Sequence, residues 1–406
     1  MGNLVITRRI RRFGRSVAIF TLLCACSIVV GASSIAAAEP YNIYVILSLT
    51  GPFGLIGAEE AVSLRILEEV VNKKGGIRGR PVHFVIADDQ TQPAVAVQLA
   101  NAILEKHLPV LLRPTGTASC LAVTPLVTAG GPLNYCYSPA VQPPAGSYMF
   151  SAGLATREQV LASLRFLQAK GFRRLALLAT TDATGQAFEN EFSAMLGART
   201  FGNMHFITRE HFAIADVSVA AQAAKIKAAG PDAIVLATVG PSTGTALRNF
   251  SDVGLVQTPV MSNQGNILHV QLLGYAAFMP KTIYFTAPRS VARDTAKSGP
   301  VRDAQRAYYS AFRARGIEPE IGHNVPWDPT LIVIDALRRL GTGATPKQLL
   351  DYMEALHGYA GTNGIIDFRD GSQRGLGLNS VVIERWDATN NKLAAVSEFG
   401  GTPLKR

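Results

Sequence analysis

Several stretches of this 406-residue sequence have the residue types and spacing that chemistry requires. Gly240-Pro241-Ser242-Thr243-Gly244 fits G-x-S-x-G, the strand-to-helix elbow that exposes a nucleophilic serine in α/β-hydrolases. A triad there needs a later acid and then a histidine, and Asp328 and His357 are the pair in that order. His357 falls in Ala355-Leu356-His357-Gly358, which reads as the end of a helix, and no oxyanion loop is evident. A secreted serine hydrolase is therefore the enzyme alternative, and the main expectation is no catalytic set and no enzyme. Asp88-Asp89 has the form of a paired carboxylate but precedes Pro93 as a capped turn would. The seven histidines show no metal-ligand spacing, and no phosphate loop, dinucleotide fingerprint or C-x-x-C is present. Neither a metal nor a cofactor is expected.

A different chemistry, the binding of a small anion, is written into the loops. Arg113-Pro114-Thr115-Gly116-Thr117-Ala118-Ser119-Cys120 leaves a strand and opens a helix. Thr117 and Ser119 beside free N–H groups at a helix N-terminus suit a carboxylate, though both also fit as ordinary N-caps. Arg113 either neutralises such a carboxylate or sits in a surface ion pair. The next strand ends in Tyr137-Ser138-Pro139-Ala140, and an earlier loop carries Phe53 and Leu55 as candidate apolar walls. Further along, Asp182, Ser242 and Gln264 lie in small polar loops after strands, and Trp327 and Asp328 open a helix. There Asp328 is a natural N-cap with Pro329 next, and Trp327 is placed to stack on a ligand.

The elements that must position these loops follow from alternation. Apolar runs of strand length include Tyr41–Leu49, Val82–Ala87, Val110–Leu112, Leu133–Tyr137, Leu175–Thr180, Ala233–Ala237, Val260–Ser262 and Ile283–Thr286. Segments of helical period lie between them, as in βαβ units with a parallel sheet, so the fold class is α/β. There are too many units for one small sheet. Two lobes facing each other across a cleft, with the change near Ser151–Thr156, account for them better. In open α/β sheets a ligand sits outside the carboxyl ends of the strands, where these loops lie.

Residues 1–38 stand apart. Five arginines and no acid precede an apolar run from Val17, and Ala36-Ala37-Ala38 follows. This is the layout of a cleaved secretory signal, with cutting expected after Ala38; an uncleaved anchor is the alternative. Leu23-Cys24-Ala25-Cys26 has the look of a loose lipoprotein box, which makes lipidation of Cys26 a second option. Removing the signal takes the formal net charge from +10 to +5, too modest and too evenly spread for nucleic acid. Cys120 and Cys136 remain. In an oxidising compartment they read as a disulfide at one rim of a βαβ unit, the alternative being two buried thiols.

The mature chain resembles the branched-chain amino-acid (leucine/isoleucine/valine-binding) type of periplasmic solute-binding protein. Leu49-Thr50-Gly51-Pro52, Asn72–Gly79, Asp88-Asp89, Ala122–Pro125, Ser138-Pro139, Asp182–Gly185 and Trp327-Asp328 carry the likeness by their order and spacing. The resemblance implies a type I periplasmic-binding fold, two Rossmann-like lobes joined by three crossovers. It implies a first lobe of residues 39–155 plus 288–341 and a second of 156–287 plus 342–406. It further implies the extracytoplasmic component of an ABC importer, with permease and ATPase subunits as partners; a periplasmic ligand-sensing subunit shares the fold. Thr117, Ser119, Ser138 and Ala140 would hold a carboxylate. The stretches Pro132–Tyr148, Ser262–Pro280 and His323–Leu340 resemble a subgroup associated with aromatic or other non-amino-acid carboxylates. Amino-acid binders often carry a carboxylate where this chain has Gln264, and a neutral amide cannot pair with an ammonium. Asp182 and Asp328 remain as possible ammonium partners.

Overall fold

The computed structural model describes residues 38–405 apart from Ala152 and residues 293–297, so the expected signal up to residue 37, with Cys24 and Cys26, lies outside the described residues. The chain opens with alternating strands and helices: β1 (Tyr41–Leu47), α1 (Gly54–Lys73), β2 (Val82–Asp88), α2 (Pro93–Leu104), β3 (Val110–Arg113), α3 (Thr117–Val127), β4 (Leu133–Cys136) and β5 (Met149–Ser151). The strands form a parallel sheet in the order β2-β1-β3-β4-β5. All four residues of β3 and of β4 are buried, as a sheet covered on both faces requires. Helix α1 crowds the end of β1: a Cβ on Gly57 would lie 1.9 Å from the Ser48 carbonyl oxygen, so only glycine lets the helix start this close.

A second alternation follows: α4 (Thr156–Ala169), β6 (Arg174–Thr180), α5 (Ala183–Gly197), β7 (His205–Phe212), α6 (Ala220–Ala229), β8 (Ala233–Ala237), α7 (Pro241–Asp252), β9 (Val260–Ser262), α8 (His269–Tyr275) and β10 (Ile283–Pro288). Helix α6 ends at Gly230, which takes the left-handed conformation (φ 62°) that a helix C-terminus uses to stop. The chain continues through α9 (Pro300–Arg313), α10 (Ile321–Asn324), α11 (Trp327–Leu340), α12 (Pro346–Glu354) and the hairpin β11 (Tyr359–Gly361) with β12 (Gly364–Ile366). It closes with β13 (Val381–Asp387) and β14 (Lys392–Ala395). The second sheet has the order β14-β13-β10-β9-β8-β6-β7, parallel except at β13 and β14.

The cores show which segments belong together. Trp327, Ile332, Leu337, Leu349, Met353 and Phe368 pack with β1 to β4 in one apolar cluster. Val382 and Trp386 pack with β8 and β10 in another. Segment 346–368 therefore sits with the first sheet, and the chain joins the second sheet only at Val381, not near Thr342. The reason is the apolar face of α12, whose Leu349, Leu350 and Met353 are buried in the first core. One pairing crosses this division. Phe53 and Ile56, from the start of α1, are buried in the second cluster beside Val239, Ile267 and Ile321.

Candidate functional site

Each sheet reverses its strand order once, between β1 and β3 in the first and between β6 and β8 in the second. Loops diverge at such switch points and leave a crevice at the carboxyl ends of the strands. The two crevices face each other. The loop after β1 contributes Phe53 and the start of α1 contributes Ile56; the loop after β3 contributes Thr115 and α3 opens with Thr117. From the other side come Thr184 at the start of α5, Phe188, Val239 and the turn Asn263–Gly265. Tyr137, Gln159, Ile321 and Val325 complete the wall. The cavity is about 40 Å³, room for roughly three waters at about 10–15 Å³ each, so admitting a larger solute requires the lobes to part.

Its polar wall is a row of hydroxyls. Thr117 Oγ1 lies 2.9 Å from Ser138 Oγ and 2.9 Å from Thr184 Oγ1, so one threonine ties its own lobe to the other. Thr117 and Thr184 both stand in the first turn of a helix that follows a strand, so two helix N-termini, with their positive ends, converge on one spot. The two ends differ. Asp182 caps α5, its carboxylate accepting from the amides of Thr184 and Gly185, whereas no side chain caps α3. The uncapped amides of α3 are what an anion needs.

Among the described residues, no charged side chain lines this cavity. Carboxyls stand behind it. Glu60 is fully buried, accepts from the Thr115 hydroxyl, and burial pushes it up to about 8. Glu59 accepts from Gly322 N at 2.9 Å and is raised to about 8 by burial and by neighbouring Glu320. Asp328 borders a smaller adjoining cavity with Asn324, Asn363 and Arg374. Burial raises it to about 6, and its Oδ2 accepts from the Thr362 amide and hydroxyl at 2.7 Å each. Gln264 lines both cavities, its backbone N–H held by Gln159 Oε1 at 3.4 Å.

The structure brings Phe53, Thr117 and Gln264 together in the wall, with Ser138 directly behind. Other sequence candidates lie elsewhere. Leu55 points outward and is 51% exposed, since one residue along a helix turns the side chain by about 100°; Ile56 takes the inward place. Ser119 is buried facing Asp89. Ala140 lines a separate groove formed with residues 367–377. Asp182 is occupied as the cap of α5. Trp327 is buried against Tyr308 and Phe312 in the first core and stacks on nothing in the cleft. Asp328 does not cap α11, whose N-cap is Pro326; it lies inside the first turn and holds Thr362 instead. Arg113 makes no surface ion pair, being wholly buried. Thr115, Thr184, Gln159 and Phe188 were not singled out from sequence, although Thr184 occupies the same first-turn place as Thr117.

The hydrolase constellation does not assemble. Ser242 Oγ bonds Thr238 Oγ1 and the Val239 carbonyl, while His357 Nδ1 bonds the Ala355 carbonyl. Cys120 of α3 and Cys136, at the end of β4 and two residues before Ser138, form a disulfide. Among the described residues no group of three or more His, Cys, Asp or Glu is placed to hold a metal, and no helix is long and apolar enough to cross a membrane.

Comparison with known proteins gives consistent likenesses. Residues 40–390 match the family model described as periplasmic binding protein. The chain is similar to the Leu/Ile/Val-binding protein homolog 3 of Brucella melitensis, 24% identical over 302 residues that cover 72% of this chain and 76% of the relative. A periplasmic binding protein type 1 from Bordetella pertussis Tohama I superposes with a TM-score of 0.76 at 22% identity, covering 90% of this chain and 100% of that one. An ABC-transporter solute-binding protein from R. palustris, solved in complex with benzoate, superposes with a TM-score of 0.74 at 15% identity, covering 91% of this chain and 98% of the other.

Proposed function

We propose, from the premise that this chain belongs to the periplasmic binding protein family, that it is the extracytoplasmic solute-binding component of an ABC importer. In this reading it takes a small carboxylate that carries no ammonium group. It is exported through the signal in residues 1–38, presents its loaded form to membrane permease and ATPase subunits, and performs no chemistry on its ligand. Its lobes part about the three crossovers and close again over the solute.

The observation that carries the ligand class is the charge of the cavity wall. A row of hydroxyls at an uncapped helix N-terminus receives an anion, and among the described residues no acid stands in the wall to receive a cation. An α-ammonium group buried there without a partner would cost several kcal/mol. Asp182 and Asp328, the two acids that sequence left open, already have partners at the α5 cap and at Thr362. The benzoate complex of the R. palustris protein supports the same class, while the Leu/Ile/Val-binding name of the B. melitensis relative points to the alternative.

A thermal-shift screen of the purified protein tests this with amino acids, aromatic acids, short fatty acids, amides and urea. A ligand at 100 times its Kd stabilises the folded state by about 2.7 kcal/mol. Shifts with aromatic or short-chain acids, and none with leucine, isoleucine or valine, are expected. A shift confined to the branched-chain amino acids would overturn the ligand class.

A further inference from the structure

We propose that Arg113 is the remote counter-charge of the cleft, a cation that touches no solute yet makes the site prefer a charged carboxylate to its neutral isostere. This rests on the reading of the cleft as a carboxylate site. Arg113 closes β3, two residues before Thr115 and four before Thr117, and its carbonyl accepts from the amide of Tyr137, which lines the cavity. Its side chain runs under α3 and is among the largest fully buried side chains of the protein. Nη1 donates to the Cys120 carbonyl at 2.7 Å and to Thr124 Oγ1 at 3.3 Å. Nε and Nη2 have no hydrogen-bond partner among the described residues.

Among the described residues no acid answers this charge. Thr124 reaches on to Met149 Sδ, and the cluster packed beside α3 consists of Cys120, Cys136, Val141 and Met149, all neutral. The carboxyls buried at this rim are turned to other groups, Glu60 to Thr115 and Asp89 to Thr91 and the Ser48–Ser119 side. Burial lowers the guanidinium pKa to about 9, which still leaves it charged at neutral pH. The N-terminal end of α3 and the guanidinium have the same sign. Stability alone would not place a cation here: an unpaired buried charge is strongly destabilising, and an apolar side chain of similar volume would pack at no such cost.

Both potentials act on one place, the hydroxyl row at Thr117. Cys120 lies about one turn, ~5 Å, along α3 from Thr117, which puts the guanidinium roughly 10 Å from a carboxylate bound there. At an effective dielectric of about 20, a unit charge at that range changes the Kd of an anion by roughly tenfold. A neutral ligand of the same shape feels almost nothing. Arg113 is thus a specificity residue acting through space, while Thr117 and Ser138 make the contacts.

The test compares matched pairs, benzoate with benzamide and isobutyrate with isobutyramide, by calorimetric titration of wild type and Arg113→Met, together with urea unfolding of both at pH 7. In R113M the acid-over-amide preference is expected to fall about tenfold, with amide affinity unchanged and the variant as stable as wild type or more so. Arg113→Gln, which keeps a donor for the Cys120 carbonyl without the charge, carries the same expectation if the methionine variant fails to fold. Equal weakening of acid and amide in whichever variant folds overturns the proposal, and so does a loss of stability like that of a core truncation in both variants. Wild type that binds no member of either pair overturns the cleft reading and the proposal with it. That result is told apart because wild type itself fails.

Discussion

Glu60 offers a sharp check on how the cleft is built. Its carboxyl is fully buried with Thr115 as its side-chain partner and is held up to about 8, against an ordinary value near 4.5. Between those two values the unfolded chain has released the proton and the folded chain has kept it. The stability Glu60 contributes is complete below about pH 4.5, drains as pH rises, and is gone above about 8. The drain approaches 1.36 kcal/mol per pH unit at its steepest, and at pH 7 the accumulated loss is on the order of 3 kcal/mol. Glu60→Gln keeps an acceptor for the Thr115 hydroxyl and removes the proton. Urea unfolding of both chains at pH 5.5, 6.5 and 7.5 should give a flatter profile for E60Q, by about 1 kcal/mol per pH unit. E60Q should also be the more stable chain at pH 7.5. Glu59, raised to about 8, Asp328, raised to about 6, and His323, lowered to about 4, remain in both chains and largely cancel in the difference. Parallel profiles would refute the reasoning, since they would mean that Glu60 ionises in the folded protein as it does in water.

Two further outcomes follow. Thr117→Val keeps the shape of the side chain but loses the hydroxyl that meets both Ser138 and Thr184, so the Kd of a bound carboxylate should rise roughly 10- to 100-fold. Thr117→Ser should restore most of it, and a change below about twofold by titration calorimetry would exclude Thr117 from the anion site. Replacing Cys120 and Cys136 together with alanine opens a loop with a sequence separation of 16, worth about 3 kcal/mol in the chain-entropy model. A lower Tm with the same order of ligand preferences is expected by thermal shift.

Strands β1 to β4, β6 and β8 to β10 were legible because they read as short apolar runs, whereas β5, β13 and β14 were not singled out; β6 and β8 are buried in every residue but one, Arg174. Strand β7 was not legible either, because it is a sheet edge whose HFITREHF pattern is mostly half-exposed and carries charges that an interior strand would not tolerate. The cleft was legible at the level of loops, since strand ends at switch points must converge whatever the side chains. Which side chain of a loop faces inward was not. Leu55 and Ile56 differ by one residue, and only the packing of α1 on Val239 and Ile321 decides between them. Trp327 illustrates the competition from the core: a large ring beside Tyr308 and Phe312 stabilises more by burial than it would at a polar cleft. Asp182 was singled out and Thr184 was not, yet the need of α5 for a cap assigned the acid to the helix and left the hydroxyl for the cavity.

Phe53 and Ile56 belong by sequence to the first lobe and by packing to the second, where they are 8% and 6% exposed. A parting of the lobes, as the proposed function requires, would wet them, at about 1.5–3 kcal/mol for each side chain fully exposed. Part of the force that would shut such a cleft is therefore of a kind that fades on cooling and strengthens with sulfate or other excluded salts. For a cleft that opens as proposed, the balance between open and shut would then depend on temperature: in the cold it would gape more readily and hold a ligand less firmly, and with warming the same two side chains would draw it closed.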